Sequence, residues 1–289
     1  MGHFLSVISA VTWSASVIMF KSMDELSGTR MNLMKNLLSL LLMIPTFWIV
    51  EGRLLPAMGN PTDTMIVLVS GFFGIGVADA LVLLALRYLP ASYLAVMECL
   101  YSPFVLVLSV AFLSETPAIS QLAGGLLILL AVCLVSLAEG GQRITRGVLP
   151  GILLMTAAMA MMSSGIVMIK PLLSVIPFWE VLVLRMAAGC ISSWLMDRWL
   201  GTGPGVFTLI FQHPMRWRLV LAGILSAYVS LLLWVAGYLY LDAHISAMLN
   251  QTSTIFTVLF GMIFLRERLS LHKAGAVALA TSGVLMIIG

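Results

Sequence analysis

The chain has 289 residues, 61% of them hydrophobic and only 9% charged, with a mean hydropathy of +1.10. Soluble domains carry about 25% charged residues, so a water-soluble fold is excluded. The formal net charge of +3 comes without a basic cluster, which argues against a nucleic-acid partner.

The apolar residues fall into stretches of about 20, the length that crosses a bilayer as a helix; a membrane β-barrel would instead alternate over about 10 residues. The expected fold is therefore an all-α integral membrane protein. Its first stretch, 4–20, lacks a basic leader and an A-x-A cleavage site, and reads as a membrane span rather than a removable signal. Further spans are expected at 33–50, 65–86, 91–113, 122–138, 148–169, 178–195, 219–239, 243–265 and 274–288, giving ten transmembrane helices. The breaks at 52–63, 139–147 and 201–218 supply the glycine, proline and charge of turns, and none is long enough for a soluble domain. Trp48, Trp179, Trp199 and Trp217 fall near span ends, where amphipathic rings anchor in the headgroup region.

Sliding the sequence by 152 residues lays YLPASYLAVMECLYSPFVLVLSVAFLSE, 88–115, on YLDAHISAMLNQTSTIFTVLFGMIFLRE, 240–267. The matches include Tyr88 with Tyr240, Phe104 with Phe256 and Glu115 with Glu267; at a similar offset Lys21 faces Lys170 and Lys35 faces Arg185. Two halves of five spans each follow, 1–139 and 140–289. Because five is odd, the second half must enter the membrane in the opposite sense, and inverted repeats of this kind place a substrate site near midplane at their interface.

Several stretches resemble a known family: ISAVTWSASVIMFKS at 8–22, GVADALVLLALRYLPAS at 76–92, MECLYSPF leading to FLSE at 112–115, and FLRERLS at 264–270 before a final AGAVALATSGVLMIIG. Together they look like the EamA-type branch of the drug/metabolite transporter superfamily, with a Leu-x-Glu motif between the last two spans of each half. The resemblance covers essentially the whole chain. It implies a ten-helix bundle of the cytoplasmic membrane that moves small organic metabolites, often outward, through a central cavity.

The polar residues can be read independently. A carboxylate at bilayer depth costs about 3 kcal/mol or more and normally faces the bundle interior. Glu98 sits mid-span, and the offset puts Asn250 at the same depth in the ninth span. Pro103 is expected to kink its helix one turn beyond Glu98 and partly free the carbonyl of Cys99. Polar stripes recur at helical spacing: Ser9, Trp13 and Ser16 in the first span, Ser226, Ser230, Trp234 and Tyr238 in the eighth, and Ser246, Asn250, Ser253, Thr254 and Thr257 in the ninth. The candidate substrate-binding set is Glu98, Trp13, Tyr101, Ser230, Trp234, Asn250 and Gln251, lining a wet cavity between the first, fourth, eighth and ninth spans. Glu98 and Asp79 are candidates for proton coupling, with an ion pair from Asp79 to Lys35 or Arg185 as the structural alternative. Gly71, Gly74 and Gly76 would let helices approach closely, and Lys21 and Lys170 are expected to snorkel to the headgroups.

No cofactor or metal is expected. Cys99, Cys133 and Cys190 lie in apolar runs without C-x-x-C spacing, and His3, His213, His244 and His272 lie near span ends without clustering. The motifs of intramembrane aspartyl, serine and zinc proteases are missing, as is a nucleotide-binding P-loop, which disfavours an enzyme or an ATP-driven pump. A non-transporting sensor or scaffold is the rival class. The expected partners are a small-molecule substrate and membrane lipid, with the chain a monomer or weak homo-oligomer. The distribution of Arg and Lys between spans puts both termini outside the cytoplasm, whereas the family resemblance puts both inside.

Overall fold

The computed structural model describes residues 1–23, 25–57, 59–138, 148–201, 203, 205–266 and 271–288, and every regular element among them is helical. Among the described residues, eight helical runs are long and apolar enough to cross a membrane. They are α1 (Gly2–Lys21), α2 (Gly28–Glu51), α3 (Pro61–Ala85), α4 (its membrane run Tyr93–Leu113), α6 (Val148–Ser174), α7 (Phe178–Leu200), α8 (Arg216–Tyr240) and α9 (Ala243–Phe264). Two further helices, α5 (Ile119–Ala138) and α10 (Leu271–Ile288), pack against each other, and a short helix, Val206–Phe211, precedes α8. The expected boundary between halves, 139–140, and Glu267 lie outside the described residues, as do the side chains of Cys133 and His272.

Local chemistry sets the helix ends. Asn60 accepts the N–H of Thr62 at 3.0 Å and Pro61 occupies the first helical position of α3, so two start signals coincide. Gly52 closes α2 in the left-handed region, φ +69°, with its N–H on the Trp48 carbonyl. The outer faces stay apolar: Leu41 is 68% exposed, Ile49 77% and Phe112 74%, a surface that suits lipid rather than water. Trp48, Trp199 and Trp217 are exposed, and Trp179 is half-buried.

Helices α2 and α7 run antiparallel and are strapped together at both ends. Arg30 Nε meets Asp197 Oδ1 at 2.9 Å at one end, and Arg53 pairs with Glu180 at the other. Between them, Asn32 and Asn36 each donate to Ser193 Oγ at 2.9 Å. Glycine permits comparable closeness between α3 and α7, since a β-carbon at Gly71 would overlap the backbone of Arg185 and one at Gly76 the Ser192 hydroxyl.

Helix α1 marks the depth of the bundle, about 30 Å for its 20 residues at 1.5 Å per residue. Its start lies against the end of α8, where a β-carbon on Gly2 would come within 2.7 Å of Leu241. Its end reaches the end of α3, where Lys21 Nζ donates to the Leu86 carbonyl at 2.5 Å. The C-terminal ends of α3 and α8 therefore lie at opposite ends of α1. Helix α6 mirrors this arrangement: Gly151 lies against Tyr88 and Leu89, while Lys170 Nζ donates to the carbonyls of Tyr238 and Leu241 at 2.7 and 2.8 Å. The expected snorkelling of Lys21 and Lys170 is thus corrected. Both ammonium groups satisfy carbonyls left orphaned at a helix end, where the helix dipole also favours a cation.

Irregularities recur at the 152-residue offset. The helix widens to π geometry at Phe72–Val77 in α3 and at Ile224–Ser230 in α8. Helix α4 breaks between its segments Ala91–Glu98 and Tyr101–Leu113, and α9 breaks between Ala243–Asn250 and Ser253–Phe264. Ser114 and Arg266 take positive φ, 57° and 56°. The kink expected from Pro103 needs correction here: the break falls at Cys99–Leu100, on the N-terminal side of the proline, and the α9 break forms with Ile255 at the equivalent position. Pro103 sits in the first turn of the following segment, where its missing N–H costs nothing. The Cys99 carbonyl is not freed, because it accepts the N–H of Ser102 at 3.3 Å.

Candidate functional site

The two breaks and the two π segments meet around one internal cavity, with about 760 Å³ of space between atoms, mouth included. Trp13 lines it from α1, Asp79 and Gly74 from α3, and Glu98 and Tyr101 from the two sides of the α4 break. Ser230 and Trp234 contribute from α8, and Asn250 and Gln251 from the α9 break. All seven residues of the expected binding set, and Asp79, therefore border the same space. The wall extends beyond the four spans expected from sequence: Lys35 comes from α2, Met159 and Met162 from α6, and Met186 from α7. The methionines give one side a soft apolar surface.

Glu98 ends the first segment of α4, and its side chain is directed inward. Trp13 Nε1 donates to its Oε1 at 3.0 Å, while its Oε2 is buried with no hydrogen-bond partner. Gln251 Nε2 donates at 3.4 Å to the Glu98 carbonyl, joining the two breaks, and Gln251 Oε1 is a second buried acceptor without a donor. Asn250, the repeat equivalent of Glu98, is turned back on its own helix, with Nδ2 donating to the Ser246 carbonyl at 2.8 Å. Tyr101 and Tyr238 share a hydroxyl–hydroxyl hydrogen bond, and the Trp234 ring lies 6.2 Å from that of Tyr101 and 5.5 Å from that of Tyr238.

Much of the polar striping serves helix contacts. Ser246 pairs with Ser6, Thr257 donates to Ser14 and Thr254 donates to the Ala95 carbonyl, whereas Ser16 turns back to the Trp13 carbonyl of its own helix. Ser230 does both jobs, exchanging hydrogen bonds with Ser9 while facing the cavity. The reason is lipid: a hydroxyl on a helix interface gains a partner there that hydrocarbon cannot supply.

Asp79 forms an ion pair with Lys35, Oδ2 to Nζ at 2.6 Å, and the same ammonium donates to Asn36 Oδ1 at 3.0 Å. Neighbouring Asn32 donates to the Gly76 carbonyl at 2.7 Å, inside the π segment, where the helical hydrogen-bond ladder is irregular. Sequence reasoning weighed Arg185 only as a partner for Asp79. It is 1% exposed, and none of its three guanidinium nitrogens has a hydrogen-bond partner. Its Cζ lies 5.8 Å from the centre of the Trp234 ring. A basic residue in mid-span whose repeat-equivalent acid is missing was the available signal.

The comparisons with known proteins agree with this architecture. No curated protein matches the chain. One solved crystal structure aligns over 99% of this chain and 95% of its own, with a TM-score of 0.73 and 16% identity, a likeness of fold alone. The model of the EamA-like transporter family matches twice, over residues 1–137 and 149–289, and each match takes in one break and one π segment. With nearly its full length accounted for by that double match, this multi-pass chain belongs to the EamA-like transporter family.

Proposed function

We propose that the chain is a secondary transporter, moving small organic metabolites such as amino acids or related compounds outward across the cytoplasmic membrane by alternating access at the central cavity. In this reading it crosses the membrane ten times, α5 and α10 included, as two inverted five-helix halves, 1–139 and 140–289. Supporting the inversion, the repeat-equivalent helices α2 and α7 run antiparallel, and the equivalent ends of α3 and α8 sit at opposite ends of α1. The outward direction rests on the family resemblance.

One observation carries the reading: Glu98 presents a buried carboxylate oxygen with no protein partner inside a cavity built where the two halves meet. A permanently ionised group there would be costly, and a carboxylate that alternately holds a proton and a substrate is what a proton-coupled carrier uses. Asp79 is the second candidate for coupling, its proton exchange depending on release of Lys35. The test is flux in inside-out and right-side-out vesicles across a broad metabolite panel of cations, neutral compounds and anions, with and without a pH gradient. Accumulation in one orientation that depends on the gradient is expected. Absence of transport in both orientations across the panel would overturn the reading in favour of a non-transporting sensor or scaffold.

A further inference from the structure

The cavity region contains unsatisfied groups of both polarities, and their chemistry describes what should fill it. Lys35 and Arg185 occupy equivalent places in the two halves, at an offset of 150 residues. Lys35 has its counter-ion in Asp79. The residue equivalent to Asp79 at the 152 offset is Leu231, so the second half supplies Arg185 with no acid of its own. Asp79, engaged by Lys35 at 2.6 Å, attracts Arg185 through space, but among the described residues no carboxylate forms an ion pair or hydrogen bond with the guanidinium. The Trp234 face, 5.8 Å away, stabilises the cation but leaves all its N–H donors unused.

A buried guanidinium whose donors are all unused is an expensive thing to keep. Its planar fork matches a carboxylate, which it can hold through two parallel hydrogen bonds. Gly74 supplies the approach: it lines the cavity, and a β-carbon there would come 3.4 Å from Arg185 Nη2, so the guanidinium lies behind this part of the wall with no Gly74 side chain in between. The unused acceptors, Glu98 Oε2 and Gln251 Oε1, belong to the neighbouring breaks and call for a donor.

We propose that Arg185 is the anion anchor of this cavity and that the transported compound carries a carboxylate, which the guanidinium takes at the Gly74 gap while Glu98 and Gln251 receive a donor group of the same molecule. The assignment rests on the transporter reading and names the class of substrate within it.

The full-length protein in lipid nanodiscs provides the test, with matched ligand sets as probes: leucine and phenylalanine, their carboxyl amides, and the corresponding acids without the amine. Affinity is measured by calorimetry and by ligand-induced thermal stabilisation. Carboxylate-bearing members should bind at least tenfold more tightly than the amides. Arg185→Gln should erase that preference, a loss of about tenfold to a hundredfold for a charge-assisted pair, while Arg185→Lys keeps part of it. Ligand-free Arg185→Gln should be at least as stable as the wild type, because a buried charge with no hydrogen-bond partner is removed; a structural role would instead lower stability. Equal binding of acid and amide, binding of neither by the wild type, or an unchanged preference in Arg185→Gln overturns the anchor. Vesicle flux separates the two levels: transport confined to compounds without an anionic group removes the anchor and leaves the transporter, whereas no transport anywhere removes the transporter.

Discussion

A carboxylate can accept about four hydrogen bonds, and Glu98 accepts one on its side chain, from Trp13. Trp13→Phe removes that donor and keeps the ring, leaving both oxygens of Glu98 without a partner. Flux should fall at least tenfold with little change in fold, as flux and circular dichroism measured together would reveal. Glu98→Gln keeps shape and hydrogen bonding but cannot cycle a proton. It should abolish accumulation driven by a pH gradient while some substrate binding remains; undiminished gradient-driven transport would return Glu98 to a structural role. At this scale the sequence was readable where the 152-residue offset pointed, because a mid-span acid with a polar counterpart demands an interior place. Arg185 escaped because its importance lies in what it lacks. The missing counter-ion becomes visible only when the Lys35–Asp79 pair shows what a satisfied cation looks like here.

Hydropathy located the helices within a few residues, since apolar length is a bilayer constraint, but it carried no signal for their interruptions. The π segments place Gly74, Ser226 and Ser230 around the cavity, and sequence spacing assumes a regular helix through both. Pro103 misled for the opposite reason: proline is the common cause of a kink, yet Ile255 stands at the same place beside the matching break of α9. Pro103→Ala should therefore keep the break, with thermal stability within about 1 kcal/mol of the wild type and flux retained. Gly71→Val is expected to behave very differently, because its side chain would enter the Arg185 backbone. Loss of the monodisperse peak on size-exclusion chromatography in detergent is the expected outcome.

For the molecule as a whole, one inter-helix contact outside the cavity carries a pH signature. Glu115 Oε2 lies 2.6 Å from His244 Nδ1, and its Oε1 accepts the Ala243 N–H at 3.3 Å, tying the end of α4 to the start of α9. Burial pushes the Glu115 carboxyl up, but hydrogen bonds from His244, Ser109 and the Ala243 N–H, with the His244 charge, outweigh it and hold the group below its ordinary value. A depressed carboxylate stabilises the fold above the unfolded-state pKa, and that contribution is lost as pH falls through the folded value. Glu115→Gln should accordingly melt below the wild type at neutral pH, the gap closing on acidification in a thermal-shift series. The repeat made the two-part plan readable from sequence, but the partners of α1 were not, since hydroxyl spacing does not say which distant helix will answer. Those partners are far away along the chain: Ser9 meets Ser230 across 221 residues, Ser6 meets Ser246 across 240, and Ser14 meets Thr257 across 243. At a synthesis rate of about 5–20 residues per second, α1 waits roughly 10–50 s for the helices that satisfy it. Its serines must spend that interval in the translocation channel, at the membrane surface or bonded to their own backbone, so a helix made long before its partners is among the last to find its place.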